Sequence, residues 1–219
     1  MKLQLTNGYH VRFDQISRIL QYLLTTGSRK KIPRQEIVAT LGLSDRQVES
    51  LISVSVGFGL VKPRTSILTP LGKIIAEKDV YFERIETLWL VHYIISSNPE
   101  WVVWHRIVNQ ILPMNDRIVI SEVALPYFSD LKSSFSERTL KAKLPGEIGA
   151  VLQSYIQSSL SRLNLLRKEQ TGIYHKETTA DIPPLAFLYQ LLHFREMHAI
   201  SASALPNEEI EKGKDSPGA

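Results

Sequence analysis

No cysteine occurs among the 219 residues. Disulfides, thiolate metal sites and a cysteine nucleophile are therefore excluded, and packing and hydrogen bonds must hold the fold. No run approaches the roughly 18 consecutive apolar residues that mark a membrane-spanning helix. The opening MKLQLTNGYHVRF lacks the apolar core and small-residue cleavage site of a secretory signal, so a cytoplasmic location is expected. The chain also lacks GxGxxG, GxxxxGK[ST] and HExxH, which leaves nucleotide cradles and simple zinc-protease helices without support. No Glu-x-Lys pair of the kind used by metal-dependent nucleases is present. Two Ser-x-x-Lys matches, Ser28 to Lys31 and Ser129 to Lys132, are no more than this content of Ser and Lys gives by chance. The expectation is a protein that is not an enzyme and has neither cofactor nor metal.

What is present is a segregated charge. The net charge is +4, but residues 27–73 carry eight basic and three acidic residues, a net of +5. Residues 132–176 repeat that count, eight against three. Between them, residues 74–131 hold four basic and eight acidic residues, a net of −4. Basic blocks are the electrostatic footprint expected of a nucleic-acid binder, because neutralising phosphates releases counterions. Charge also fluctuates by a few units in any window of this length, so the blocks alone do not decide the matter.

The first basic block has the order of a winged helix. Residues 13–26 read as a helix with Ile16, Ile19, Leu20, Leu23 and Leu24 on one stripe. Pro33 opens a second, shorter run that Gly42 closes. Ser44 followed three residues later by Gln47 has the form of a capping box, which starts a third helix at Asp45. Burying Val48, Leu51, Ile52 and Val56 would turn Arg46, Gln47, Ser50 and Ser53 outward. LVKPRTSIL then reads as a β-hairpin, and Thr69 with Pro70 starts another helix. In this order the helix from Asp45 reads the major groove and the hairpin meets the backbone.

The middle is expected to be helical, over Asp79 to Ser96 and again over Trp101 to Leu112, and it holds all three tryptophans. Their expected role is core, with a partner-binding face as the alternative. His92 and His105 are expected to be core histidines rather than site residues, and Glu83 and Glu86 to form ion pairs with Arg84 or Arg106. His193 and His198 are spaced poorly for one helical face. In the second basic block Pro145-Gly146 is expected to break the chain, and residues 147–164 to form a helix exposing Gln153, Ser154, Gln157, Ser158 and Ser161. A strand, a turn at Gln170 to Gly172 and a second strand follow, which makes a second winged helix the expectation. Pro183-Pro184 introduces a last helix through Phe187, Leu188, Leu191 and Leu192, and residues 201–219 read as a disordered tail.

The stretch LTPLGKIIAEKDVYFERIETLWLVHYIISSNPEWVVWHRIVNQ resembles the bacterial domain-of-unknown-function family 4007. Leu68, Thr69, Pro70, Leu71 and Gly72 match its LTPLG turn. Asp79, Glu83, Thr87, Leu88, Trp89 and His92 match its acidic helix, and Trp104 and Asn109 its next helix. The similarity runs from about residue 13 to 195. It implies a bacterial protein, often encoded beside sulfur-transfer, DNA phosphorothioation or phage-defence genes, with no established activity.

The fold expectation is mainly α: a winged helix over 11–78, a helical connector over 79–131 and a second winged helix over 132–200. The functional expectation is a double-stranded-DNA-binding accessory or regulatory protein. An adaptor that binds protein subunits through its winged helices and Trp-rich middle is the alternative. The candidate DNA-binding residues are Lys30, Lys31, Arg34, Arg46, Gln47, Ser50, Lys62 and Arg64, and in the second block Lys141, Lys143, Gln153, Gln157, Arg167 and Lys168.

Overall fold

The computed structural model describes residues 1–26, 32–177 and 181–197. Helix α1 (Phe13–Thr26) buries Ile16, Ile19, Leu20 and Leu23 as its periodicity requires. Helix α2 (Arg34–Leu41) ends at Gly42, whose left-handed φ of 64° lets its N–H reach the Val38 carbonyl. Ser44 then starts α3 (Asp45–Gly57) with the full capping box: the Ser44 hydroxyl accepts from the Gln47 N–H, and Gln47 Oε1 accepts from the Ser44 N–H.

The hairpin expected after α3 is reduced to a tight turn. A single antiparallel bridge joins Val61 to Leu68, and the Lys62 N–H donates to the Ile67 carbonyl. Pro63 has no N–H, Arg64 sits in the left-handed region at φ 60°, and buried Ser66 accepts from the Ile32 N–H at 2.8 Å. These residues fold the turn back onto the entry to α2 instead of extending it as two strands. Thr69 caps α4 (Pro70–Lys78) by accepting from the Gly72 N–H.

The long helix expected from Asp79 starts later. The Asp79 carboxylate accepts from the Glu83 and Arg84 N–H groups, and Phe82 takes a positive φ of 56°. Helix α5 therefore runs Ile85–Ser97. Phe82 still reaches the core, edge-on to Phe13 at 4.7 Å between ring centroids. Helix α6 (Val102–Arg106) passes through a π turn (Ile107–Ile111) into α7 (Leu112–Met114). Strand β1 (Arg117–Val119), a second π turn (Ile120–Ala124) and a 3₁₀ segment (Leu125–Ser133) follow.

Pro145-Gly146 does not break the chain: α8 runs unbroken from Glu137 to Gln157, 21 residues with Pro145 inside. An interior proline forfeits one backbone hydrogen bond. Burial of Leu140 and Leu144 before it, and of Ile148, Val151, Leu152 and Tyr155 after it, holds one apolar face through the defect. The helix also stops short of Asn164. Ser158 accepts from the Leu160 N–H to open a 3₁₀ turn (Ser159–Leu163), and left-handed Asn164 redirects the chain.

Strands β2 (Leu166–Gln170) and β3 (Ile173–Lys176) make the expected hairpin through Gly172, and β1 joins it to give an antiparallel sheet in the order β1-β3-β2. Helix α9 (Pro184–Met197) packs on α5, where Tyr93 lies edge-on to Tyr189. The described core is continuous across residues 78/79 and 131/132. Trp89, Trp101 and Trp104 are buried in it, so the tryptophans are core and not a contact face. No described helix is long and apolar enough to cross a membrane.

Candidate nucleic-acid interface

Around α3 the structure separates the expected contact residues into three groups. Arg46 is exposed and, among the described residues, has no carboxylate within ion-pair distance. Arg34 is exposed but held by the acids of α3, at 2.8 Å from Asp45 and 3.5 Å from Glu49. Its charge is largely cancelled before any phosphate arrives. Gln47 is half-buried, with Oε1 committed to the cap.

Ser50 is a correction: it is buried, and its hydroxyl donates to the Thr6 carbonyl at 2.7 Å. The N-terminal segment lies on that face of α3, which the helical periodicity of α3 alone could not reveal. Lys62 and Arg64 are exposed in the turn that Ser66 pins to the start of α2. Lys30 and Lys31, like His198 and the tail, lie outside the described residues.

The second block is more divided. Lys143, Gln157 and Lys168 are exposed. Lys141 pairs with Glu137 at 3.0 Å, and Arg167 with Glu177 at 3.1 Å. Hydrogen bonding to Lys141 pulls the Glu137 carboxyl below its usual range. Gln153 corrects a second expectation, because it faces the sheet: its Oε1 accepts from the Tyr174 hydroxyl at 3.4 Å and its Nε2 is buried. Ser154 is fully buried, accepting from the Val11 N–H at 2.9 Å.

The histidines of the middle are structural. His92 Nδ1 lies 2.8 Å from the Tyr155 hydroxyl, which also accepts from Trp104 Nε1 at 2.8 Å. Burial pushes the Tyr155 phenol well above its ordinary range. His105 Nδ1 donates to the Ser96 carbonyl at 2.7 Å. Arg84 pairs with Glu86 as expected, whereas Arg106 pairs with Asp130 at 2.5 Å. That contact, chiefly its hydrogen bond, lowers the Asp130 carboxyl.

Sequence patterns gave no warning of Glu147. It is 1% exposed, and its carboxylate accepts from the Leu5 and Thr6 N–H groups at 2.8 Å, the Thr6 hydroxyl at 3.0 Å and the Gly8 N–H at 3.3 Å. The available signal was Asn7-Gly8, a turn dipeptide whose residues both take positive φ here. Beyond this anchor, Tyr9, His10, Arg12, Gln15 and Gln47 rim a cleft floored by Val11, Leu51 and Val54, with a volume of about 90 Å³.

A family model described as "protein of unknown function (DUF4007)" matches residues 9–219. The chain belongs to this family. The match reaches past both ends of the stretch in which the resemblance was legible. No curated protein matches this DUF4007 chain. A solved structure titled "Magnesium ion-bound SspB crystal structure" is similar at 13% identity and a TM-score of 0.65. The likeness covers 87% of the DUF4007 chain and 64% of the other, so the chain spans less than two thirds of that neighbour's length. It is a likeness of fold. Magnesium belongs to that neighbour; among the described residues here, no three or more His, Asp or Glu side chains are grouped to hold a metal ion.

Proposed function

We propose that this DUF4007 chain is a non-enzymatic, double-stranded-DNA-binding accessory or regulatory protein, acting in a bacterial DNA-modification or phage-defence system. Its contact surface is a winged helix-turn-helix built from α1 to α3 and the turn over 61–68. One observation carries this reading: Arg46, Lys62 and Arg64 are exposed cations without ion-pair partners among the described residues, on a capped helix and on the turn beside it. In the helix-turn-helix arrangement these positions meet the groove and the phosphate backbone. The buried stripe of Val48, Leu51 and Val54 fixes which side of α3 stays free. Asp45 and Glu49 oppose binding on that side, and Arg34 offsets them.

An electrophoretic shift with plain duplex DNA tests the reading. A shift that weakens as salt rises supports it, and its absence with folded protein at low salt refutes it.

A second reading, the adaptor, is favoured by a different surface. Leu185, Leu188 and Leu192 stand exposed on one face of α9, at 64%, 48% and 41%, near exposed Ile74. Under that reading Leu188→Glu abolishes capture of a protein partner, and the folded native chain gives no salt-dependent shift with duplex DNA.

A further inference from the structure

We propose that the cleft between the N-terminal segment and α3 receives one unstacked nucleobase of the bound DNA. The inference rests on the DNA-binding reading and names what that surface recognises. The cleft opens beside the first turns of α3, where Gln47 forms part of its wall. In a helix-turn-helix these are the turns that approach base edges.

The chemistry of the lining suits a neutral heteroaromatic ring. Val11, Leu51 and Val54 give it an apolar floor, while His10, Gln15 and the Gln47 Nε2 supply donors and acceptors at the rim. Tyr9 is 45% exposed at the mouth and offers a π face. The one cation present, Arg12, is bound by both oxygens of Asp14 at 3.0 and 2.9 Å. Hydrogen bonding to that partner raises the guanidinium pKa and lowers that of the carboxyl. The rim is thus close to neutral, which disfavours a phosphate and fits a base.

Size narrows the choice. The volume of about 90 Å³ is smaller than the closed apolar cavity of about 150 Å³ that holds benzene, so a two-ring purine is excluded and even one ring sits partly in the open mouth. A cleft of this volume, open on one side, takes a single six-membered ring and leaves sugar and phosphate outside. A pyrimidine is the favoured occupant. The walls are built before any ligand arrives, because the Glu147 anchor fixes residues 5–8 and Ser154 fixes Val11.

The test compares three labelled duplexes by fluorescence anisotropy: fully matched, carrying one unpaired thymine, and carrying one unpaired abasic site at the same position. An unpaired base has already lost the pairing that extrusion would otherwise cost. The expected result is roughly tenfold tighter binding of the thymine bulge than of either other duplex. Gln15→Leu, and separately His10→Ala, should shrink that gap to about twofold or less and leave matched-duplex affinity unchanged, with folding checked by circular dichroism. Equal preference for the thymine and abasic bulges would show that DNA deformability is being read; this overturns the pocket and leaves the DNA-binding reading standing. Equal affinity for all three overturns the pocket as well. Failure to bind any of them overturns both.

Discussion

At Tyr155 a single phenol oxygen serves two buried partners, Trp104 Nε1 and His92 Nδ1, each at 2.8 Å. Tyr155→Phe keeps the ring and removes the oxygen that both groups contact, so it should lower stability by about 1 to 3 kcal/mol in chemical denaturation. Glu147→Ala removes the acceptor of the Leu5, Thr6 and Gly8 N–H groups and should cost on the order of 3 kcal/mol, while exposing the N-terminal segment to proteolysis. Tyr93 gives a pH signature. Burial, and then the Coulombic effect of Tyr189, push its phenol up to about 12. A folded-state pKa raised above the unfolded value of about 10 contributes stability that is complete below pH 10. That stability is lost as pH rises toward 12. Ultraviolet titration should therefore find one tyrosine ionising near 12 in Tyr93 protein and missing in Tyr93→Phe. Capping residues such as Ser44, Gln47 and Thr69 were legible because their partners lie three residues away. Glu147 was not, because its partners lie some 140 residues distant in the chain, and charge patterning does not report such a contact.

Elements were legible where periodicity was local, as in α1, α3 and the β2-β3 hairpin, and misread where tertiary contacts overrode a local rule. Pro145 failed to end α8 because the buried faces on both sides of it belong to one packed surface. The Asp79 segment failed to join α5 because its carboxylate accepts from the Glu83 and Arg84 N–H groups ahead of the helix and Phe82 takes a positive φ, which together hold residues 79–84 in a turn. Within the 61–68 turn, charge and conformation can be separated at Arg64, which holds a φ of 60°. Arg64→Gly relieves the left-handed penalty and should raise stability by roughly 1 kcal/mol. DNA affinity should fall at the same time, because a phosphate contact is lost; the paired readout is a thermal melt beside an anisotropy titration. In α5, Trp89 is 2% exposed. Trp89→Ala should cost about 3 to 5 kcal/mol, enough to unfold a protein of ordinary marginal stability.

Across the whole molecule, segregated charge was visible in the sequence, but its effective distribution was not, because ion pairs are set by the fold. Arg34, Lys141 and Arg167 all counted toward the basic blocks, yet each faces a carboxylate. Among the described residues, the cations of the first basic block that remain without a carboxylate partner are Arg46, Lys62 and Arg64, and the central claim is that they hold phosphates. The most direct test is the salt dependence of duplex binding for the native chain and for the triple variant Arg46→Ala, Lys62→Ala, Arg64→Ala. At about −0.9 per neutralised phosphate, the native slope of log affinity against log salt should lie between roughly −3 and −5. The triple variant should flatten it by about 2 to 3 without shifting the melting temperature downward. A native slope near zero, or a slope unchanged in the folded triple variant, would contradict the account.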